Sequence, residues 1–536
     1  MPNSKSLEKL CLMNDQLRSG SLSRRDFMSY AASFGVATAF ATSFADKAFA
    51  GSGPRRGGTL KAAMGHGETA DTLDPAALFH GYQWTLGYAI RNCLTQVGPG
   101  GRLEPALAVS WEASPDAKKW TFELRKGVQF HNGKTFDAHD VIASINHHLG
   151  EDSKSSVKPN AKDIASMKAD GDHRVNFELE LGNADFPYIF ASASFSICPA
   201  IAGGGIEWRS NVGTGGYIIE EYQPGVRAYL KRNPNYWRDD RAWADEIEFL
   251  TIQDPFARTN ALRSGVVDVI DKVDLKTASR LGKQEGISVE ETTGPLHYCY
   301  PMNIEVAPYD NNDVRMAMKF GIEREQLLQK ILYGHGAIGN DTPIGQSYKY
   351  HDASIPQRQY DPDKARHHLK KAGLSSLDIS ISAADAAYAG AVDATVLYKD
   401  SASKAGINIT VVREPNDGYW SDVYMKKPIF ANYWGGYTTE SEMLSTGYLP
   451  GAAWNETRFD HPRFSAVLKE AKAELDPAKR QEMYTELQMI MRDEGGIIVP
   501  LFANDVLART DKVNHGDLSS DRGFDGRHIL ERWWVV

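Results

Sequence analysis

Segments with strand periodicity and segments with helix periodicity alternate along almost the whole chain, and no stretch repeats another, which confines the chain to mixed α/β architectures. One passage illustrates the pattern. Trp120, Phe122 and Leu124 alternate with polar residues, as on a half-buried strand. Lys126-Gly127 and Asn132-Gly133 supply tight turns. Asp137 then precedes Ala138, Val141, Ile142, Ile145 and Leu149, a helix cap followed by one apolar helix face. Towards the end, Phe464, Val467, Leu468, Ala471 and Leu475 repeat that spacing. Asp476-Pro477 opens a further helix with proline at its first position, and Gly495-Gly496 closes it. Ile497 to Pro500 reads as a buried strand, and the Trp-rich run Ile529 to Val536 as a terminal strand.

The first fifty residues read as an address rather than part of this fold. Ser23-Arg24-Arg25-Asp26-Phe27-Met28 is a twin-arginine pattern, followed by an apolar stretch from Tyr30 to about Phe44 and by Ala48-Phe49-Ala50, a small-residue cleavage site. The apolar stretch is shorter than the ~20 residues that span a bilayer. No cysteine follows it, which argues against a lipid-modified N-terminus and for a free periplasmic protein cut after Ala50. The remaining chain carries a net charge of −11, because the first fifty residues hold six basic and four acidic side chains and the whole chain stands at −9. That balance gives no electrostatic footprint for nucleic acid or for an anionic membrane.

Chemistry-bearing motifs are absent. No HExxH, GxSxG or phosphate-loop pattern occurs. His147-His148 and His367-His368 are neighbours on predicted helices, and neighbours point about 100° apart, so neither pair makes a bidentate metal site. Cys93, Cys198 and Cys299 lack zinc or redox spacing and read as isolated buried thiols. The chain therefore reads as a binder without cofactor or resident metal, and not as an enzyme.

Several blocks carry a resemblance. They are Leu73-Asp74-Pro75, Pro105-Ala106-Leu107-Ala108 with Ser110-Trp111, the run Lys119 to Asp140, Gly213 to Tyr217, and Leu230 to Trp237. Ala261 to Asp268, Asn312 to Met318 and Tyr360 to Ala365 follow in order. Together they resemble the extracellular solute-binding proteins of family 5, which serve importers of peptides, opines and nickel. The resemblance implies an α/β fold of two lobes joined by a two-strand hinge, with an extra domain inserted in the first lobe. The implied division is domain I at 57–95, 207–297 and 498–536, the inserted domain II at 96–206, and domain III at 298–497. It also implies a monomer that buries a small solute between its lobes and hands it to an ABC permease with its ATPase. Peptides, opines, oligosaccharides and metal chelates compete as ligand classes, and a ligand-sensing receptor using the same lobes is a further alternative. Trp111, Trp120 and Trp237 read as core.

The resemblance also points to a cleft. In peptide-binding members a Trp followed closely by an Asp receives the ligand's α-ammonium. Here Trp434 stands at the Trp position and Gly436 at the acid position, which puts ordinary dipeptide binding in question. Glu440 or Glu442 is then open to take the cationic contact, or the ligand carries no free amine there. Tyr437, Trp454 and Asn455 are further candidates from the same lobe. Thr69 after the first strand, Tyr82 and Trp84 are candidates from the first lobe, and Tyr298 from the hinge. His66 and His297 are metal-capable residues that nothing in the sequence brings together.

Overall fold

Two long strands, Ile287–Pro301 and Ile497–Thr510, run antiparallel through the middle of the computed structural model, which describes residues 53–151 and 153–536. The export segment read from the first fifty residues lies outside the described residues. The strand pairing is regular from Ile287 opposite Thr510 to Thr293 opposite Asn504, and resumes at His297 opposite Phe502. Gly294, Pro295 and Leu296 bulge between the two stretches. The strands change neighbours about this bulge. On one side Arg509 and Ala508 pair with Val269–Ile270. On the other, Asn432–Trp434 pairs with His297 to Cys299, and Gly336–Ile338 with Leu501 to Ala503. Two strands crossing between two sets of partners are the two-strand hinge.

In the first lobe, Thr59–Met64 lies parallel to both Glu246–Thr251 and Val269–Ile270. Its apolar residues join Tyr82, Leu86, Phe249 and Trp533 in one core. In the second lobe, Leu377–Ala383 and Ile407–Arg413 form a parallel pair, covered by Asn312–Phe320, Pro362–Lys371 and Ala391–Ser403. The inserted region folds as a four-stranded antiparallel sheet, with Lys119–Leu124 inside it and the helix Ala138–Leu149 packed on it. Phe122, Phe177, Phe186 and Phe190 pack mostly edge to face there, with centroids 4.9–6.1 Å apart. Trp120 is core in this cluster, and the Trp237 indole donates to Asn92 Oδ1 at 2.9 Å.

The caps read from the sequence are present. Asp137 accepts from the backbone N–H groups of His139 and Asp140, and Asp476 from those of Ala478 and Lys479. The C-terminal run differs from the expected strand. Ile529–Arg532 is a helical turn, and only Trp534–Val535 pairs, with Val513–Asn514. The reason is local: Asp525 draws in Arg532 and the Trp533 indole, and His528 pairs with Glu531 at 2.8 Å, which closes the chain on itself. Cys93, Cys198 and Cys299 are buried free thiols. Among the described residues, no helix is long and apolar enough to cross a membrane.

Candidate functional site

The loops at the carboxyl ends of the first lobe's parallel strands are the position where α/β lobes place ligands. Gly65-His66 follows Thr59–Met64, and Asp271-Lys272 follows Val269–Ile270. Asp271 ties these loops together by accepting from the Gly65 N–H at 2.8 Å and pairing with Arg258 at 3.3 Å. Lys272 donates to His66 Nε2 at 3.0 Å. Burial, and then the charges of Lys272 and Arg527, lower His66 to about 4, so it accepts that bond as a neutral ring. The C-terminal loop Asp521 to Arg527 completes this wall. There the Arg522 guanidinium lies over the Trp84 ring, 4.9 Å from its centroid.

The second lobe contributes the segment after Asn432–Trp434 and the helix Glu440–Tyr448. Tyr437 is half-buried, and its N–H donates to the Tyr348 hydroxyl at 3.2 Å. Glu442 accepts from the Asn160 side chain of the inserted sheet region at 2.8 Å. Burial pushes the Glu442 carboxyl up to about 7, against the opposing pull of Arg522 and Asn160. Arg522 thus sits within electrostatic reach of Glu442 and Tyr437. A second bridge is fully internal, with Arg480 donating to Asp185 at 2.6 Å.

Residues 102–456 match the family Bacterial extracellular solute-binding proteins, family 5 Middle. The chain belongs to this family. It is 24% identical over 471 residues to Di/tripeptide-binding protein 1 of Pseudomonas aeruginosa, covering 79% of this chain and 85% of that one. The ABC transporter-associated periplasmic binding protein DppA of Helicobacter pylori, solved with the peptide STSA, superposes with a TM-score of 0.72. That match covers 89% of this chain and 98% of the other at 23% identity. AgaA of A. tumefaciens R10, solved with agropinic acid, superposes with a TM-score of 0.71 at 22% identity, covering 89% and 99%. Family members are transport proteins rather than enzymes, and they capture small solutes for ABC permeases.

Within this solute-binding protein the candidate residues separate into two sets. Trp84 and Tyr437 are half-buried, and Trp454 has 54% of its area exposed. Tyr298 is partly covered and stacks on Tyr388 at 3.9 Å, and Thr69 lies on an exposed turn. Tyr82 is core, not cleft: it is fully buried, stacks on Phe249 at 4.3 Å and donates to the Phe249 carbonyl at 2.9 Å. Trp434 is likewise interior, its indole donating to Glu456 at 3.2 Å and its ring lying 5.8 Å from Trp454. His297 is buried on the hinge with its Nδ1 against the Pro295 carbonyl. Among the described residues no cluster of three metal-capable side chains forms.

Asn455 is consumed by its own loop. Its amide donates to the Leu449 and Phe459 carbonyls at 3.2 and 2.8 Å, and its oxygen accepts from the Phe459 N–H at 2.9 Å. Asn455→Ala is expected to lower unfolding stability by about 2–3 kcal/mol, because buried carbonyls are left unpaired, without changing solute affinity per folded molecule. Denaturant unfolding and calorimetric titration check the two halves of that expectation.

Gly436 has a backbone reason. Its φ is +79°, and a Cβ there would lie 2.3 Å from the Cβ of Pro295 in the hinge bulge. An acid is excluded by the close approach of the chain, so its absence says nothing about the ligand. Gly436→Asp is expected to cost about 2–3 kcal/mol from left-handed strain and overpacking. It is not expected to create an ammonium site, and thermal unfolding together with peptide titration tests this.

Of the two neighbouring acids, Glu440 is nearly fully buried and accepts from the Tyr350 N–H at 2.5 Å. Glu442 is only half-buried. Lys272, Arg522 and Arg527 carry no motif and were not among the sequence candidates. The only sequence signal for the last two is an arginine pair five residues apart in the glycine-containing loop Asp521 to Arg527.

Proposed function

We propose that this family 5 protein captures a peptide or peptide-like zwitterion between its lobes and delivers it to an ABC permease at the inner membrane. The reading includes export by the twin-arginine route with cleavage after Ala50, and the domain division at 96–206 and 298–497 given above. One observation supports it: Arg522 of one lobe and Glu442 of the other lie near enough for each to act on the other's charge, and in this reading a solute with a charge of each sign bridges both lobes. A ligand that touches both lobes favours the closed state by the difference between its affinities for closed and open forms. Similarity to a di/tripeptide-binding protein and to a structure solved with a peptide supports the ligand class.

Thermal unfolding of the mature chain with a panel of dipeptides, tripeptides and N-acetylated controls tests the reading. A true ligand at one hundred times its Kd adds about 2.7 kcal/mol of stability. Stabilisation by free-amine peptides and not by their acetylated forms is the expected result. No stabilisation by any peptide would overturn it.

A further inference from the structure

The inserted region is joined to the two lobes in two different ways. Its joint with the first lobe is an apolar core. Leu94, Val212 and Trp237 pack with Phe122, Phe186 and Phe190, and among the described residues none from the second lobe enters that cluster. Hydrogen bonds reinforce the joint. The Tyr88 hydroxyl donates to the Ala191 carbonyl at 2.8 Å, the Thr95 hydroxyl to the Pro187 carbonyl at 2.7 Å, and the Ile197 N–H to the Asn92 carbonyl at 2.9 Å. A shared apolar core stays together while the protein is folded, so the inserted region travels with the first lobe.

The contacts with the second lobe are polar. Arg480, near the start of the helix Pro477–Glu494, donates to Asp185 at 2.6 Å, and both side chains are less than a tenth exposed. One residue along, the Ala184 N–H donates at 2.6 Å to the Lys472 carbonyl, an orphan acceptor in the last turn of the helix Pro462–Ala473. The Asn160 side chain donates to Glu442 at 2.8 Å. The approach is close: a Cβ at Gly182 would lie 2.3 Å from the Asp116 carbonyl oxygen and 3.1 Å from the Ala473 Cβ. The second lobe also prepares the place where Asp185 docks. Tyr350 and Tyr484 stack at 5.2 Å, and the Arg480 guanidinium lies 5.0 and 5.5 Å from their centroids. Tyr350 is held in turn, its N–H donating to Glu440 and its carbonyl accepting from Gln488 at 2.9 Å. Arg480 is thus fixed by its own lobe, and little side-chain freedom is lost when Asp185 meets it. Polar contacts between domains part without unfolding either side, because the separated groups regain water.

We infer that the inserted region is a clasp: through Asp185, Ala184 and Asn160 it holds the second lobe against the first without help from the solute, and so sets the closed fraction of the empty protein. The apparent Kd of a solute that binds the closed form is its intrinsic Kd divided by that fraction, so the clasp also sets how tightly the solute is held. This goes beyond the proposed function and holds for any ligand class.

The test uses the mature chain without solute, together with Arg480→Met, Asp185→Asn and, as a control, Arg174→Met, which breaks an exposed pair within the inserted sheet. Small-angle scattering and amide hydrogen exchange are read on all four proteins. Both clasp variants are expected to show a larger radius of gyration than wild type and Arg174→Met. Their Ala184 amide is expected to exchange roughly tenfold faster or more, while the Phe122 amide in the inserted sheet keeps its wild-type protection. Retained protection at Phe122 separates opening of the clasp from unfolding. Asp185→Asn keeps the side chain's shape and an acceptor oxygen, so it supplies the comparison if Arg480→Met does not fold. One radius of gyration for all four proteins, with Ala184 exchanging alike in each, would overturn the clasp. Loss of Phe122 protection in both clasp variants would also overturn it, since the contact would then be part of the fold and not a joint that opens. For any di- or tripeptide that binds, both clasp variants are expected to raise Kd roughly fivefold to fiftyfold, and an unchanged Kd would count against the clasp while leaving the proposed function standing. If no peptide binds, the proposed ligand class fails, and scattering and exchange on the empty chain still decide the clasp.

Discussion

Glu442→Gln is expected to weaken binding of a free-amine peptide roughly tenfold to a hundredfold at pH 8, and to flatten the pH dependence of that binding. The carboxyl is raised to about 7 by burial, with Arg522 and Asn160 pulling it down and Asp521 and Asp185 pushing it up. In the empty protein it is therefore protonated below about pH 7, and a neutral carboxyl gives an ammonium no charge to meet. The sign follows: affinity tightens as pH rises from 5 to 8, by at most about tenfold per unit, and then levels. Glutamine keeps an oxygen to accept from Asn160, so the fold around the site is retained while the charge is lost. The same shift acts on stability in the opposite direction. A carboxyl raised above its unfolded value binds a proton that the unfolded chain releases, so the empty protein loses stability as pH rises from about 4.5 towards 7. Glu440 and Glu456 are also pushed up to about 7, chiefly by burial, and add to that slope. Calorimetric titration between pH 5 and pH 8, with unfolding of the unliganded chain over the same range, measures both effects. A pH-independent affinity shared by wild type and Glu442→Gln would remove Glu442 from the ammonium contact.

The fold was legible where the signal is local. Lys119–Leu124 follows from alternation alone, and the helices beginning at Ala138 and Pro477 from an aspartate placed to cap them. The C-terminal run was misread because a short apolar stretch fits a strand or a helical turn equally well, and only Asp525 reaching Trp533 and Arg532 decides between them. The cleft was less legible for the same reason. Trp434 is a residue type suited to stacking on a ligand and equally to filling a core. Its role is set by Glu456, twenty-two residues away, which accepts its indole N–H inside the lobe. The Gly436 position looked like a missing acid, yet it is dictated by the hinge bulge passing against it. Asp185 and Arg480, which join the inserted region to the second lobe, lie 295 residues apart, and periodicity carries no information about such a meeting. The family blocks identify scaffold, and the candidate cleft residues lie mostly between them.

The strongest effect on stability is expected at Asp341 in the second lobe, away from the cleft. Its two oxygens lie at 2.7 and 2.8 Å from Arg324 Nη2, and Oδ2 also meets Arg358 Nε at 2.8 Å. All three side chains are essentially buried, and Asp341 accepts in addition from the Val499 N–H of the hinge strand Ile497–Thr510. One carboxylate therefore neutralises two internal guanidiniums and ties them to the strand on which the lobes turn. Asp341→Ala leaves Arg324 with only carbonyl acceptors and Arg358 paired only with the half-exposed Asp493. Removing one partner of a buried ion pair costs about 3–5 kcal/mol, because the remaining charge stays desolvated. The loss here belongs at the upper end, since two charges share the one acid. Asp341→Asn keeps the shape and an acceptor oxygen but not the charge, and is expected to fall between wild type and Asp341→Ala. Denaturant midpoints of the three proteins give that order. Adding Arg358→Met to Asp341→Ala is expected to recover part of the loss, because it withdraws one of the stranded charges. An Asp341→Ala protein within 1 kcal/mol of wild type would show that the guanidiniums reach other acceptors or solvent on losing their acid.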